Sequence, residues 1–263
     1  MAIVVIAVGS ASLGTFIPLL GAGIIDQVTD DAHKKNDLQG RAFAGHATRS
    51  EKSPDAILLP RPLSSSEIDY LNRSDDPMGI AHGNEVFHAD LFQQGHVTIR
   101  YAQEWVVTLV SDREAPLVVN GMRIKGLKCK PAESRAILIQ KFEGGGENNG
   151  MLFDVTRSTD TPIIIGDEDK HEWKPFFRYK HIDLGNGATS GDIRLQVTSQ
   201  TKDCTWKAFV VDYRDAEGQH SQDITNGNAN FSVLGLPRSP DQTLTYSLTG
   251  DGRASVSEEP ANH

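Results

Sequence analysis

The chain has 263 residues, a formal net charge of -9 and 38% hydrophobic residues. That length holds one sizeable domain beside any membrane segment. No block of five or six like charges occurs, which argues against a phosphate-binding basic face and against nucleic acid as a partner.

From Ala2 to Ile25 there is no Asp, Glu, Lys, Arg or His. The run opens as Ala2-Ile3-Val4-Val5-Ile6-Ala7-Val8 and closes through Phe16-Ile17-Pro18-Leu19-Leu20 and Gly21 to Ile25. At roughly 1.5 Å per residue it spans about 36 Å, enough to cross a hydrocarbon core of about 30 Å with some tilt. Residues 1–25 are read as a membrane-spanning helix, with the lipid bilayer as its partner. Two other readings stay open. A cleaved signal peptide fits the small residues Gly21-Ala22-Gly23 but lacks a basic residue ahead of the apolar stretch. A buried core helix is the third. Lys34, Lys35 and Arg41 follow the run, and by the positive-inside rule they favour a cytoplasmic bulk.

Residues 26–83 read as a juxtamembrane spacer. Asp30, Asp31, His33, Lys34, Lys35 and Asp37 mix charge without a sustained period. Ala56 to Leu63 is apolar but broken by Pro60 and Pro62. Ser64-Ser65-Ser66-Glu67-Ile68-Asp69-Tyr70-Leu71 predicts a capped helical turn, with Ser at the cap and Ile68 and Leu71 on one face. Asp75-Asp76-Pro77 ends it.

From residue 84 the texture becomes β-rich. Short runs at His96–Ala102, Trp105–Val110, Leu117–Val119 and Met122–Lys125 are separated by turn residues. Asn120-Gly121 predicts either a tight hairpin turn or a bulge. Ala136–Phe142, Met151–Val155, Pro162–Ile165 and Arg178–Leu184 follow. In Ile193–Thr198 strict alternation predicts Ile193, Leu195 and Val197 facing in, with Arg194, Gln196 and Thr198 in water. Thr205–Tyr213 is apolar on both faces and predicts one central strand. Asn230–Leu234 and Thr243–Leu248 close the series. This spacing predicts an all-β fold, an Ig-like β-sandwich over 84–250. Residues 251–263 are small and acidic and read as a disordered tail.

Five places carry candidate chemistry. His82, His88 and His96, with Glu85 and Asp90 between them, form the densest imidazole cluster and suit zinc, though spacings of six and eight residues fit no helix face. Asp167-Glu168-Asp169-Lys170-His171-Glu172 offers hard oxygens without the alternating ligands and central glycine of a calcium loop, and a solvated turn is the other reading. Gly144 to Gly150 lacks the lysine of a phosphate cradle. No nucleophile elbow of the Gly-x-Ser-x-Gly type occurs. Trp173, Phe176, Phe177 and Arg178 cluster in sequence, and aromatics with Arg favour interfaces; the alternative is that they cap one end of a core. Cys129 and Cys204 both fall on predicted strands, either as a disulfide or as two half-buried thiols. No cofactor is expected.

Several segments appear in an order that resembles a group of actinobacterial single-pass, membrane-tethered β-domain proteins of unknown function. They are Val118-Val119-Asn120-Gly121-Met122-Arg123-Ile124, Lys128-Cys129-Lys130-Pro131, Tyr179-Lys180-His181-Ile182-Asp183-Leu184, Asp203-Cys204-Thr205-Trp206 and Val210-Val211-Asp212-Tyr213. Some of that group carry a helix-turn-helix domain before the span. The resemblance implies a β-domain outside the cell and brings no catalytic residue.

The expectation is a cell-membrane protein with an extracytoplasmic sandwich acting as a non-catalytic binding module for an unknown protein or envelope ligand. The alternative is a metal-dependent hydrolase of envelope material using His82, His88 and His96.

Overall fold

The computed structural model describes residues 42–50, 55–74, 77, 81, 83–93, 96–113, 115–140, 150–165, 170–185, 191–248 and 254–259, with backbone alone for 84–93, 96–100, 191, 248 and 254. The elements begin with β1 (Ala44–Arg49), β2 (Ala56–Leu59), α1 (Ser65–Leu71), β3 (Asn84–Gln93), β4 (His96–Val110) and β5 (Leu117–Lys125). Next are β6 (Lys128–Pro131), β7 (Ala136–Gln140), β8 (Gly150–Asp154), β9 (Ile163–Ile165), the single turn α2 (Phe176–Tyr179) and β10 (Ile182–Leu184). Then come β11 (Gly191–Thr198), β12 (Lys202–Trp206), β13 (Ala208–Asp215), β14 (Gly218–Thr225), β15 (Phe231–Val233), β16 (Gln242–Leu248) and β17 (Ala254–Glu258). The described chain is all-β in several sheets, with few helices.

One long strand, β4, ties two halves together. Its second part pairs with β1 on one side and β11 on the other, and β8 and β9 extend that sheet. Its first part pairs with β3, which leads through β2, β7 and β16 to β17. A second sheet, β10-β5-β13-β14, lies against the first half. A small sheet, β15-β12-β6, closes one end.

The largest core lies between these sheets. Trp105, Val107 and Leu109 of β4, Leu195 and Val197 of β11, and Phe153 of β8 meet Val119, Met122, Phe209 and Val211 from the facing sheet. Period-two alternation puts one apolar set on each inner face. Trp206 and Phe231, register partners on the small sheet, stack with ring centroids 5.6 Å apart. Trp105 meets Phe231 edge to face at 4.9 Å. Burying each such ring stabilises by about 1.5–3 kcal/mol.

Asn120-Gly121 is a bulge. Gly121 pairs with Asp212 and Val119 with Tyr213, so Asn120 is skipped. The extra residue shifts the phase: Leu117 and Val119 point inward before it, and Met122 and Ile124 after it. Without the bulge one of those two pairs would face water.

The second half is built on β2, which is apolar on both faces. Ile57 and Leu59 meet Leu71 of α1, Leu138 and Leu244, while Ala56 and Leu58 meet Ile137, Leu234 and Leu236. The cap of α1 is the predicted one. The Ser64 side chain accepts from the Glu67 amide, and the Glu67 carboxylate accepts from the Ser64 amide at 2.8 Å.

Several expectations change. The stretch 26–83 is not a spacer throughout, because β1 and β2 enter the sheets; four apolar residues suffice when both neighbours pair with them. The tail 251–263 contributes β17, anchored by buried Val256. His96–Ala102 and Trp105–Val110 are one strand, running through buried Gln103 and Glu104. Gln196 and Thr198 are buried, since the sheet there is covered on both faces. Thr205–Tyr213 is two strands parted at Lys207, whose amide donates to the Lys125 carbonyl. Arg178–Leu184 divides between α2 and β10. Ala2–Ile25, the 144–149 glycines and Asp167–Asp169 lie outside the described residues. Among the described residues no helix is long and apolar enough to cross a membrane.

Candidate interaction surface

The segment 170–180 folds over the edge strand β9. The Trp173 amide donates to the Ile164 carbonyl, the Ile164 amide to the Lys174 carbonyl, and the Phe176 amide to the Pro162 carbonyl, at 2.8–2.9 Å. These bonds cover an edge that would otherwise offer unpaired backbone groups. Trp173 sits at φ 64, a left-handed conformation costing a non-glycine residue about 1–2 kcal/mol. Its indole packs on Ala102, Leu152 and Ile165, on the outer face of the sheet. Phe176 and Phe177 pack on the inner core, and their rings meet edge to face at 5.1 Å. The segment therefore grips the sheet from both sides.

This places the sequence-named residues differently from one another. Trp173, Phe176 and Phe177 are half-buried anchors, whereas Arg178 is exposed. The exposed aromatic beside them is Tyr179, 42% accessible. Its ring stacks on His171 with centroids 4.2 Å apart, and the Arg178 guanidinium lies 5.8 Å from its centre. Lys180 lies 5.8 Å from the Phe176 ring. Lys170, Lys174, Arg178 and Lys180 face a single acid, Glu172, within this stretch. The sequence pattern puts Tyr179 in a strand, which hides its exposure. Its neighbours Arg178 and Lys180 are the signal that could have shown it.

The histidines are not assembled into a described site. His88 pairs opposite Tyr101 and His96 opposite Gln93. That is five positions along β3, about 17 Å at a rise of about 3.3 Å. His82 lies outside the described residues.

A cluster that sequence reading missed sits at the β13–β14 turn. One ligand atom each from Asp215, Glu217 and His220 lies within 4.8 Å of the others. Asp215 Oδ2 already accepts from Arg113 Nη1 at 2.9 Å, and Oδ1 lies 3.0 Å from His220 Nε2 and 2.9 Å from the Glu217 amide. Burial pushes the Asp215 carboxyl up, but the Glu217 amide, Arg113 and His220 outweigh it and hold it below its ordinary value. The guanidinium already supplies the positive charge that a cation would bring.

Cys129 and Cys204 are register partners on β6 and β12 and form a disulfide. Cys204 is 1% accessible and faces the main core, whereas Cys129 is exposed on the edge strand. An open groove of about 400 Å³ runs along the same sheet, lined by both cysteines together with Lys128, Lys130, Asp203 and Thr205. Lys130 and Glu133, three residues apart, form an exposed ion pair at 2.5 Å.

Comparison with known proteins gives no matching family, no matching curated protein and no matching solved structure.

Proposed function

We propose that the chain is a membrane-tethered, extracytoplasmic protein whose β-sandwich, Ig-like in plan, serves as a non-catalytic interaction module. The observation that carries the reading is the Tyr179 surface. An exposed aromatic, stacked and flanked by cations, stands on a turn whose other aromatics are locked into two cores. Rigid presentation of this kind lowers the ordering cost of binding. The occupant is a protein or an envelope ligand.

Location rests on three features. The uncharged Ala2–Ile25 run favours lipid over water. The Cys129–Cys204 disulfide supports an oxidising compartment, because such bonds persist outside the reducing cytosol. The segment order that resembles the actinobacterial tethered proteins supports the same side.

The test is a photo-cross-linking amino acid placed at Tyr179 in the full chain in its own membrane, with exposed Asp223 as the control position. A discrete product from position 179 and none from 223 is expected. The absence of a product from 179, or the same product from both, overturns the interaction surface. Uncleaved full-length protein in the supernatant after ultracentrifugation overturns the tether.

A further inference from the structure

We infer that the Cys129–Cys204 bond is a thiol–disulfide exchange site, entered at Cys129 by a dithiol reductant while the rest of the molecule stays folded. Three observations lead there, independently of the Tyr179 reading.

The first is access. The two cysteines face each other directly across an antiparallel pair, Cys129 exposed and Cys204 buried. Of the two, Cys129 is the residue more open to an incoming thiolate.

The second is what the bond holds. All four residues of β6 are exposed, and β6 is the edge of a three-stranded sheet. Parting it from β12 uncovers no buried side chain of its own. Local opening is cheapest where few apolar contacts must be broken. Pro131 also lacks an amide to give to the ladder.

The third is where β6 sits. It carries the chain from β5, in the first half, to β7, in the second. The bond pins this crossing to β12, so opening it loosens the join between the halves and leaves both main cores intact.

The chemistry balances as a two-electron exchange. One thiolate of the dithiol attacks Cys129 Sγ, forming a mixed disulfide and breaking the Cys129–Cys204 bond. The Cys204 sulfur leaves with the electron pair and takes a proton. The second thiol, deprotonated, attacks the first and releases Cys129, which is protonated in turn. The protein gains two thiols and the dithiol becomes a cyclic disulfide.

The experiment uses full-length oxidised protein with dithiothreitol, and with glutathione as a one-thiol probe, trapped by acid. Opening is expected to rise in proportion to dithiothreitol, beyond the global unfolding rate measured by urea jump. Tryptophan emission should hold while amides of residues 128–130 lose protection at least tenfold. Peptide mapping should place the glutathione adduct on Cys129. A rate that levels off at the unfolding rate overturns the inference, as does an adduct on Cys204. The Cys129→Ser, Cys204→Ser double variant supplies a second reading: a folded protein with protection lost only at 128–130 supports it, and protection lost across β5 and β13 overturns it.

Discussion

Asp203 holds Gly235. The Gly235 amide donates to Asp203 Oδ1 at 3.0 Å in the protein interior, and the other oxygen, Oδ2, accepts from the Glu133 amide at 3.0 Å. Glu133 follows β6 and Gly235 follows β15, so one carboxylate receives both chains as they pass toward the second half. The neighbouring turn helps, with the Ala132 amide donating to the Thr201 carbonyl and the Leu236 amide to the Gln200 carbonyl.

Replacing Asp203 with Ala strands the buried Gly235 amide and removes two bonds to a charged acceptor. Such bonds contribute about 1.5–3 kcal/mol each. Asp203→Ala is expected to lower stability by about 3 kcal/mol or more in urea unfolding. Asp203→Asn keeps one acceptor oxygen and should lose about half of that. Equal losses would mean that only the fit of the side chain matters.

Gly235 is fixed by close approach. A Cβ there would lie 2.3 Å from the Lys202 backbone nitrogen, and backbone cannot move aside. Gly235→Ala should cost about 3 kcal/mol by overpacking. Gly227, at φ 58 with nothing near its absent Cβ, is limited by conformation alone. Gly227→Ala should cost about 1 kcal/mol and Gly227→Asn much less, since Asn tolerates the left-handed region. Thermal midpoints of the three variants check the order.

Much of this architecture was readable because local chemistry and tertiary structure agree. Ser64 to Leu71 states a capped helical turn, and Asn120-Gly121 states a bulge as one of two outcomes. Cys129 and Cys204 fell on strands, though nothing local could say that those strands are neighbours. The misses occur where a neighbour decides. Ala56–Leu59 is short and bounded by Pro60, and only β3 and β7 on its two sides make it a strand. Gln196 and Thr198 obey alternation in geometry but not in burial, because their face is covered: Thr198 donates to the Tyr101 carbonyl at 3.0 Å, and Gln196 lies 3.4 Å from Glu104. At the candidate interaction surface, composition found the aromatic cluster but could not divide it. Trp173 and Phe177 differ from Tyr179 only in which way a turn over β9 aims them.

The α1 cap supplies a pH dependence. The hydrogen bond from Arg61, then those from the Ser64 amide and hydroxyl, hold the Glu67 carboxyl at about 2, against an ordinary value of 4.5. A folded-state value below the unfolded one stabilises the protein above the unfolded value, and the contribution is lost as pH falls through the folded one. Glu67→Gln should therefore lower the thermal midpoint at pH 7, with the two proteins converging between about pH 4.5 and pH 2. The pair is exposed, so 1 M salt should shrink the difference at pH 7. A gap that stays constant from pH 7 to pH 2 would leave shape, not charge, as the role of Glu67.

Trp173 and Tyr179 separate support from contact. Truncating a fully buried Trp costs about 3–5 kcal/mol, and Trp173 is half-buried against Ala102, Leu152 and Ile165. Trp173→Ala should cost about 2 kcal/mol, with the left-handed strain unchanged because Ala keeps the Cβ. Tyr179→Ala removes an exposed ring and should stay within about 0.5 kcal/mol. Cross-linking is then expected to divide the other way. From a cross-linker at Arg178, Tyr179→Ala should lose most of the product with an unchanged midpoint. Trp173→Ala should lose product only as far as its midpoint falls, and regain it on cooling. If Trp173→Ala lost all product at temperatures where it is fully folded, Trp173 itself would touch the occupant and the turn over β9 would be the binding face rather than its mount.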